Sequence, residues 1–179
     1  DIIQKFLPLD VAEFPSGQEV FDWTIPKEFK VNEAWVEGPD GTRVLDFDIH
    51  PYCVWIYSQS FTGEMDLKEL KEKISTDPNL PHAYPMRQTY YRDTWGLSAP
   101  YDLVKELKPG RYKIHINTEL YDGVLRIGEA YLPGEVEEEI LINSYLCHPR
   151  GANDNLSGVV AAVEIFRLLA EMPNRHYSY

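Results

Sequence analysis

The chain has 179 residues, 29 acidic against 17 basic, for a formal net charge of −12. That balance argues against a nucleic-acid surface in this segment, because phosphate contacts need clustered Lys and Arg, and 44% hydrophobic residues with 13% aromatics exclude global disorder. No run approaches about 18 apolar residues, and no basic stretch followed by an apolar one opens the chain, so neither a membrane span nor a signal peptide is expected.

The length suits one ordinary domain or two small ones. Cys53 and Cys147 are the only cysteines, and two thiols so far apart read as unpaired and buried in a reducing, cytoplasmic compartment. The chain begins at Asp1 and stops at Tyr179, within what reads as the opening of a strand, so a fragment or processed piece of a longer polypeptide is expected.

In chain order, Ile2, Ile3, Phe6 and Leu7 have the spacing of a helix's last turns, ending near Pro8. Residues 9–14 are a weak strand candidate, punctuated by Pro15-Ser16-Gly17. Phe21 to Pro26 is aromatic and β-prone, and two strand candidates, 31–37 and 43–47, flank the turn Gly38-Pro39-Asp40-Gly41. Residues 53–58, β-branched and aromatic, predict another strand. Asp66-Leu67-Lys68-Glu69 is a variant capping box, with Leu67, Leu70 and Ile74 on one helix face. A proline-rich loop follows, then a short helix from Pro100 to Leu107, with Pro109-Gly110 just past its end.

Tyr112, Ile114 and Ile116 alternate with Lys113, His115 and Asn117, and Tyr121-Asp122-Gly123 turns the chain, predicting a hairpin whose second strand is 124–131. From residue 140 the pattern becomes α/β. Residues 140–146 read as a strand covered on both faces, and 156–172 as a largely buried helix, with Leu156, Val159, Val160, Val163, Phe166 and Ala170 along one face. His176 to Tyr179 reads as the first half of the next strand.

Between that strand and that helix lie His148 and Asp154, six residues apart on one loop. In open α/β sheets ligands gather past the carboxyl ends of strands. Alone, His148 reads as a hydrogen-bonded structural residue and Asp154 as a helix cap. Together, imidazole and carboxylate can converge on one cation, and zinc accepts both at about 2.0–2.2 Å.

Residues 139–148, followed by Gly151-Ala152-Asn153-Asp154-Asn155-Leu156-Ser157-Gly158-Val159, resemble the first metal-binding segment of zinc aminopeptidases with two co-catalytic metals. The resemblance implies that His148 is a terminal zinc ligand and that Asp154 bridges two zinc ions. It covers residues 135–179 directly. The β-rich stretch before it, including Val20 to Pro26 and Tyr90 to Leu97, resembles a bacterial aminopeptidase-like subgroup. Members of that subgroup carry an inserted domain, and often a C-terminal winged helix that this sequence lacks.

The implied fold is α/β: a partial aminopeptidase-like, phosphorylase/hydrolase-like three-layer domain (residues 1–16 and 133–179) interrupted by an inserted β-rich domain (17–132). The implied function is a zinc-dependent hydrolase of a small peptide or related amide, acting through a di-metal-activated water. The alternative is a non-catalytic binding protein for a saccharide or a protein partner. Two departures from the family pattern stand out. Arg150 occupies the position where the family usually has an Asp that orients the imidazole, and the general base and remaining ligands would lie beyond Tyr179.

The other features have plainer readings. Trp23, Trp35, Trp55 and Trp95 suit the packing of a β domain better than a carbohydrate surface. Glu135 to Glu139 reads as a solvated face. His50, His82, His115 and His176 have no ligand-like spacing.

Overall fold

A computed structural model describes residues 2–147 and 151–179. Its strands are β1 (Asp10–Pro15), β2 (Glu19–Val20), β3 (Trp23–Thr24), β4 (Glu28–Glu37), β5 (Arg43–Asp46), β6 (Phe61–Asp66), β7 (Ile74–Ser75), β8 (Leu97–Ser98), β9 (Arg111–Tyr121) and β10 (Val124–Glu129). Its α-helices are α1 (Leu67–Lys73), α2 (Tyr101–Glu106) and α3 (Ser157–Ala170). The fold is mixed α/β. Two compact units divide the chain: residues 16–123, and residues 1–15 with 124–179.

The 16–123 unit is built on an antiparallel sheet in the order β5-β4-β9-β6. The alternation along β9 works as period two requires: Tyr112, Ile114 and Ile116 are each 1% exposed, whereas Lys113 and Asn117 face solvent. The inward residues of β4 and β5, Ala34, Val36 and Leu45, pack with them, and Leu70 of α1 and Val104 of α2 close the same core. Each fully buried aliphatic side chain contributes about 1.5–3 kcal/mol. The Gly38–Gly41 turn forms as expected, with Gly38 N–H donating to Thr42 O at 2.8 Å and Gly41 at φ +79°. A capping box starts α1, the Asp66 N–H donating to the Glu69 carboxylate at 3.3 Å.

Two expectations fail in this unit. β9 and β10 do not form a hairpin. β9 already has both edges occupied, by β4 and β6, while β10 pairs with β1 in the register Pro15↔Val124 through Asp10↔Glu129. Gly123 lies between them, where its N–H donates to Ser16 Oγ at 3.0 Å and a Cβ would come within 2.3 Å of the Glu28 carboxylate. Residues 53–58 are not a strand either. The segment opens as a 3₁₀ turn (Pro51–Cys53) capped by His50, then makes only single bridges, Val54 to Leu97 and Ile56 to Gln88. Its bonding groups go to loops rather than a ladder.

The other unit holds a 3₁₀ turn (Ile3–Lys5), the antiparallel ribbon of β1 and β10, and α3. Tyr179 exchanges both backbone hydrogen bonds with Leu132, and Ile140 N–H donates to Ser178 O at 2.9 Å. These contacts end in a parallel bridge between Glu139 and Ser178. Residues 141–147 do not extend it into the expected strand, because no segment among the described residues pairs with them. Leu141 is 84% exposed and Leu146 66%. The expected burial of α3 also fails. None of its residues is buried, and Val160 and Leu168 are 54% and 64% exposed, because no sheet among the described residues covers its apolar side.

Candidate functional site

Asp154 lies on a wide turn, Ala152–Leu156, between the extended residues 141–147 and α3, with a non-helical backbone at φ −114°, ψ 93°. The turn is braced from both sides. Asn155 Nδ2 donates to Ser144 Oγ at 2.8 Å and to Tyr145 O at 3.3 Å, and Ser157 Oγ donates to Asn153 O at 2.7 Å. Gly158 makes room for this brace. A Cβ there would meet Asn155 Oδ1 at 2.4 Å and Ser144 Oγ at 2.7 Å.

The Asp154 carboxylate is exposed and accepts a hydrogen bond from the Tyr145 hydroxyl. That bond, more than desolvation, holds the Tyr145 phenol above its ordinary range. Partial desolvation, then the Asp154 charge, raises the Cys147 thiol, so the thiol is neutral at pH 7. Cys147 is exposed and Cys53 buried, so only one of the two cysteines is placed as expected. His148, the expected partner of Asp154, and Arg150 lie outside the described residues.

Zinc takes oxygen ligands from Asp, and an exposed carboxylate on a braced turn fits that role. Among the described residues, no group of three or more His, Cys, Asp or Glu side chains is arranged to hold a metal. The donor set therefore fits part of a site. Tyr145 and Asn155 escaped the sequence reading. Tyr145 sat in an apolar run, and only the path of the chain brings its hydroxyl to a carboxylate nine residues on.

The remaining histidines have local partners. His50 stacks on Tyr84 with ring centroids 4.0 Å apart, His82 faces Asp102 at 3.3 Å, His115 contacts Thr62 Oγ1 at 3.0 Å, and His176 faces Glu135 at 3.8 Å.

Over its whole length, residues 1–179, the chain matches the family described as "Domain of unknown function (DUF4910)". A protein of Clostridium acetobutylicum described as "Putative polysaccharide biosynthesis protein with aminopeptidase-like domain" is 41% identical over 179 residues, which are 41% of that protein. A crystal structure of a "putative peptidase" from the same organism superposes with a TM-score of 0.87 at 40% identity, covering 99% of this chain and 42% of the other. The chain thus spans about two fifths of the length of these relatives. It belongs to the DUF4910 family, a peptidase-like family.

Proposed function

We propose that the chain supplies the first metal ligands of a zinc-dependent, aminopeptidase-like hydrolase acting on a peptide or related amide. The observation that carries this reading is the Asp154 carboxylate, held exposed on a turn braced by Asn155 and shaped around Gly158. It is reinforced by a relative described as having an aminopeptidase-like domain. In this reading Asp154 and His148 would hold zinc, and the Tyr145 hydroxyl would orient the Asp154 carboxylate. Bound zinc supplies Lewis acidity to the substrate carbonyl and to the attacking water. The remaining ligands and the general base would come from polypeptide outside the two fifths that this chain matches. The reduced thiols of Cys53 and Cys147 suit a reducing, cytoplasmic setting.

Zinc content and hydrolysis of amino-acid 4-nitroanilides, measured on the full-length polypeptide, test this. The wild type is expected to carry zinc and to release nitroaniline, and His148→Ala and Asp154→Ala are each expected to lose both. Wild-type protein free of zinc, or variants that retain zinc and activity, would overturn the reading. A second reading, a non-catalytic binder of a saccharide, draws support from the relative described as a polysaccharide biosynthesis protein.

A further inference from the structure

The turn that carries Asp154 is held in two ways. Within the turn, Leu156 N–H donates to Gly151 O at 3.2 Å and Ser157 Oγ to Asn153 O at 2.7 Å, which fixes its local shape. Asn155 reaches further. Its side-chain amide has two donors, one to Ser144 Oγ at 2.8 Å and one to Tyr145 O at 3.3 Å, 11 and 10 residues earlier in the chain. Asn155 therefore ties the Asp154 turn to the extended segment before it. Residues 146–153, which include His148, form the loop that this tie closes.

The neighbouring helix leaves room for the tie. A Cβ on Gly158, in the first turn of α3, would strike Asn155 Oδ1 and Ser144 Oγ, the two side chains joined by the shorter bond. The two adjacent residues of the turn also differ in exposure, Asp154 being exposed and Asn155 half-buried. A hydrogen bond near the surface adds little to global stability, because water competes for both partners. What it contributes is geometry. Closing a loop costs conformational entropy, and a loop closed before a ligand arrives removes that cost from binding.

We propose that Asn155 is a positioning residue for zinc: its tie to Ser144 and Tyr145 brings the Asp154 turn and the segment leading to His148 together before metal binds. The inference rests on the zinc reading above and adds to it a residue that touches no metal. Tyr145 acts on the Asp154 carboxylate directly through its hydroxyl, whereas Asn155 acts through the path of the backbone. Zinc needs its imidazole and carboxylate donors within about 2.0–2.2 Å of one ion. With the tie broken, metal itself would have to order the loop, and binding would weaken by that cost.

The test is the zinc affinity of the full-length polypeptide, by competition with a chromogenic chelator, beside thermal unfolding of the metal-free protein. Asn155→Ala is expected to weaken zinc binding about tenfold or more at an unchanged melting temperature. Ser144→Ala should weaken it by a smaller factor, because the bond to Tyr145 O remains, and Ser144→Thr, which keeps the hydroxyl, should bind as the wild type does. The double variant Ser144→Ala/Asn155→Ala should bind no more weakly than Asn155→Ala, because both substitutions remove one tie. Gly158→Ala should also weaken binding by pushing Asn155 and Ser144 apart, although alanine is the better helix former. Wild-type affinity in Asn155→Ala and Gly158→Ala would overturn the positioning role and leave the zinc reading standing. Wild-type protein that binds no zinc would overturn both. Weak binding in Asn155→Ala with a lowered melting temperature, while Ser144→Ala and Gly158→Ala bind normally, would mark Asn155 as a structural residue and also overturn the proposal.

Discussion

The two units of this chain use their apolar residues in opposite ways. In residues 16–123 the sheet β5-β4-β9-β6 closes over its own core, with Tyr112, Ile114, Ile116 and Leu70 essentially inaccessible. In residues 1–15 with 124–179, α3 buries none of its residues, and Leu141, Leu146 and Leu168 are well exposed. Hydrophobic content therefore does not decide burial; a partner surface does. A four-stranded sheet with two helices provides its own partner, whereas a single helix beside a two-stranded ribbon and one bridge does not.

The largest expected effect comes from breaking the closed unit. Ile114→Ala leaves a cavity in a site with 1% exposure and should cost about 2–5 kcal/mol by urea denaturation. A cost below about 1 kcal/mol would mean that the β9 core is looser than its packing implies. Cys53 sharpens the same point through pH. Burial, helped by the Asp46 charge, pushes its thiol from 9.0 up to about 12. The folded state thus favours the neutral thiol, so this contribution is intact below pH 9 and lost as pH rises from 9 towards 12. Urea unfolding should show stability falling over that window, with Cys53→Ala removing part of the slope. With a thiol-specific reagent at pH 8, Cys147 should react first and Cys53 only after denaturation.

What was legible in the sequence follows the same division. The alternation along Tyr112–Asn117 revealed a buried face because period two is local. Asp66 with Glu69, and Gly38 with Gly41, announced a cap and a turn for the same reason. Pairing was not legible. Nothing in Val124–Glu129 says that its partner is β1 rather than β9, since partner choice depends on which edges are already taken. Nor was the tie between Thr89 and the Ile56–Tyr57 backbone, made by the Thr89 N–H and hydroxyl across 32 residues of chain. Around Asp154 the motif drew attention to the turn, but its brace through Ser144, Tyr145 and Asn155 emerges only once the chain folds back on itself.

Two substitutions probe those long-range ties. Thr89→Val removes a buried hydroxyl that donates to Tyr57 O and should cost about 1–3 kcal/mol. Full stability would show that the hydroxyl contributes nothing there. Tyr145→Phe deletes the donor to Asp154. In the zinc reading it should lower metal affinity about 10–100-fold, as for other residues that orient a ligand, measured by competition with a chromogenic chelator. Unchanged affinity would leave the hydrogen bond a purely local contact.

The smallest effect is expected where the open unit is most open. Leu168 on α3 is 64% exposed, so Leu168→Gln in the 179-residue chain exchanges one solvated side chain for another. Helix propensities for the two are close, and surface changes of this kind stay within about 0.5 kcal/mol. Ile114→Ala and Leu168→Gln together measure the contrast between the units in one denaturation series. If Leu168→Gln instead cost more than about 2 kcal/mol, α3 would have to pack in solution against a surface that the structure leaves open. The two units would then differ in which partner they use, and no longer in whether they have one.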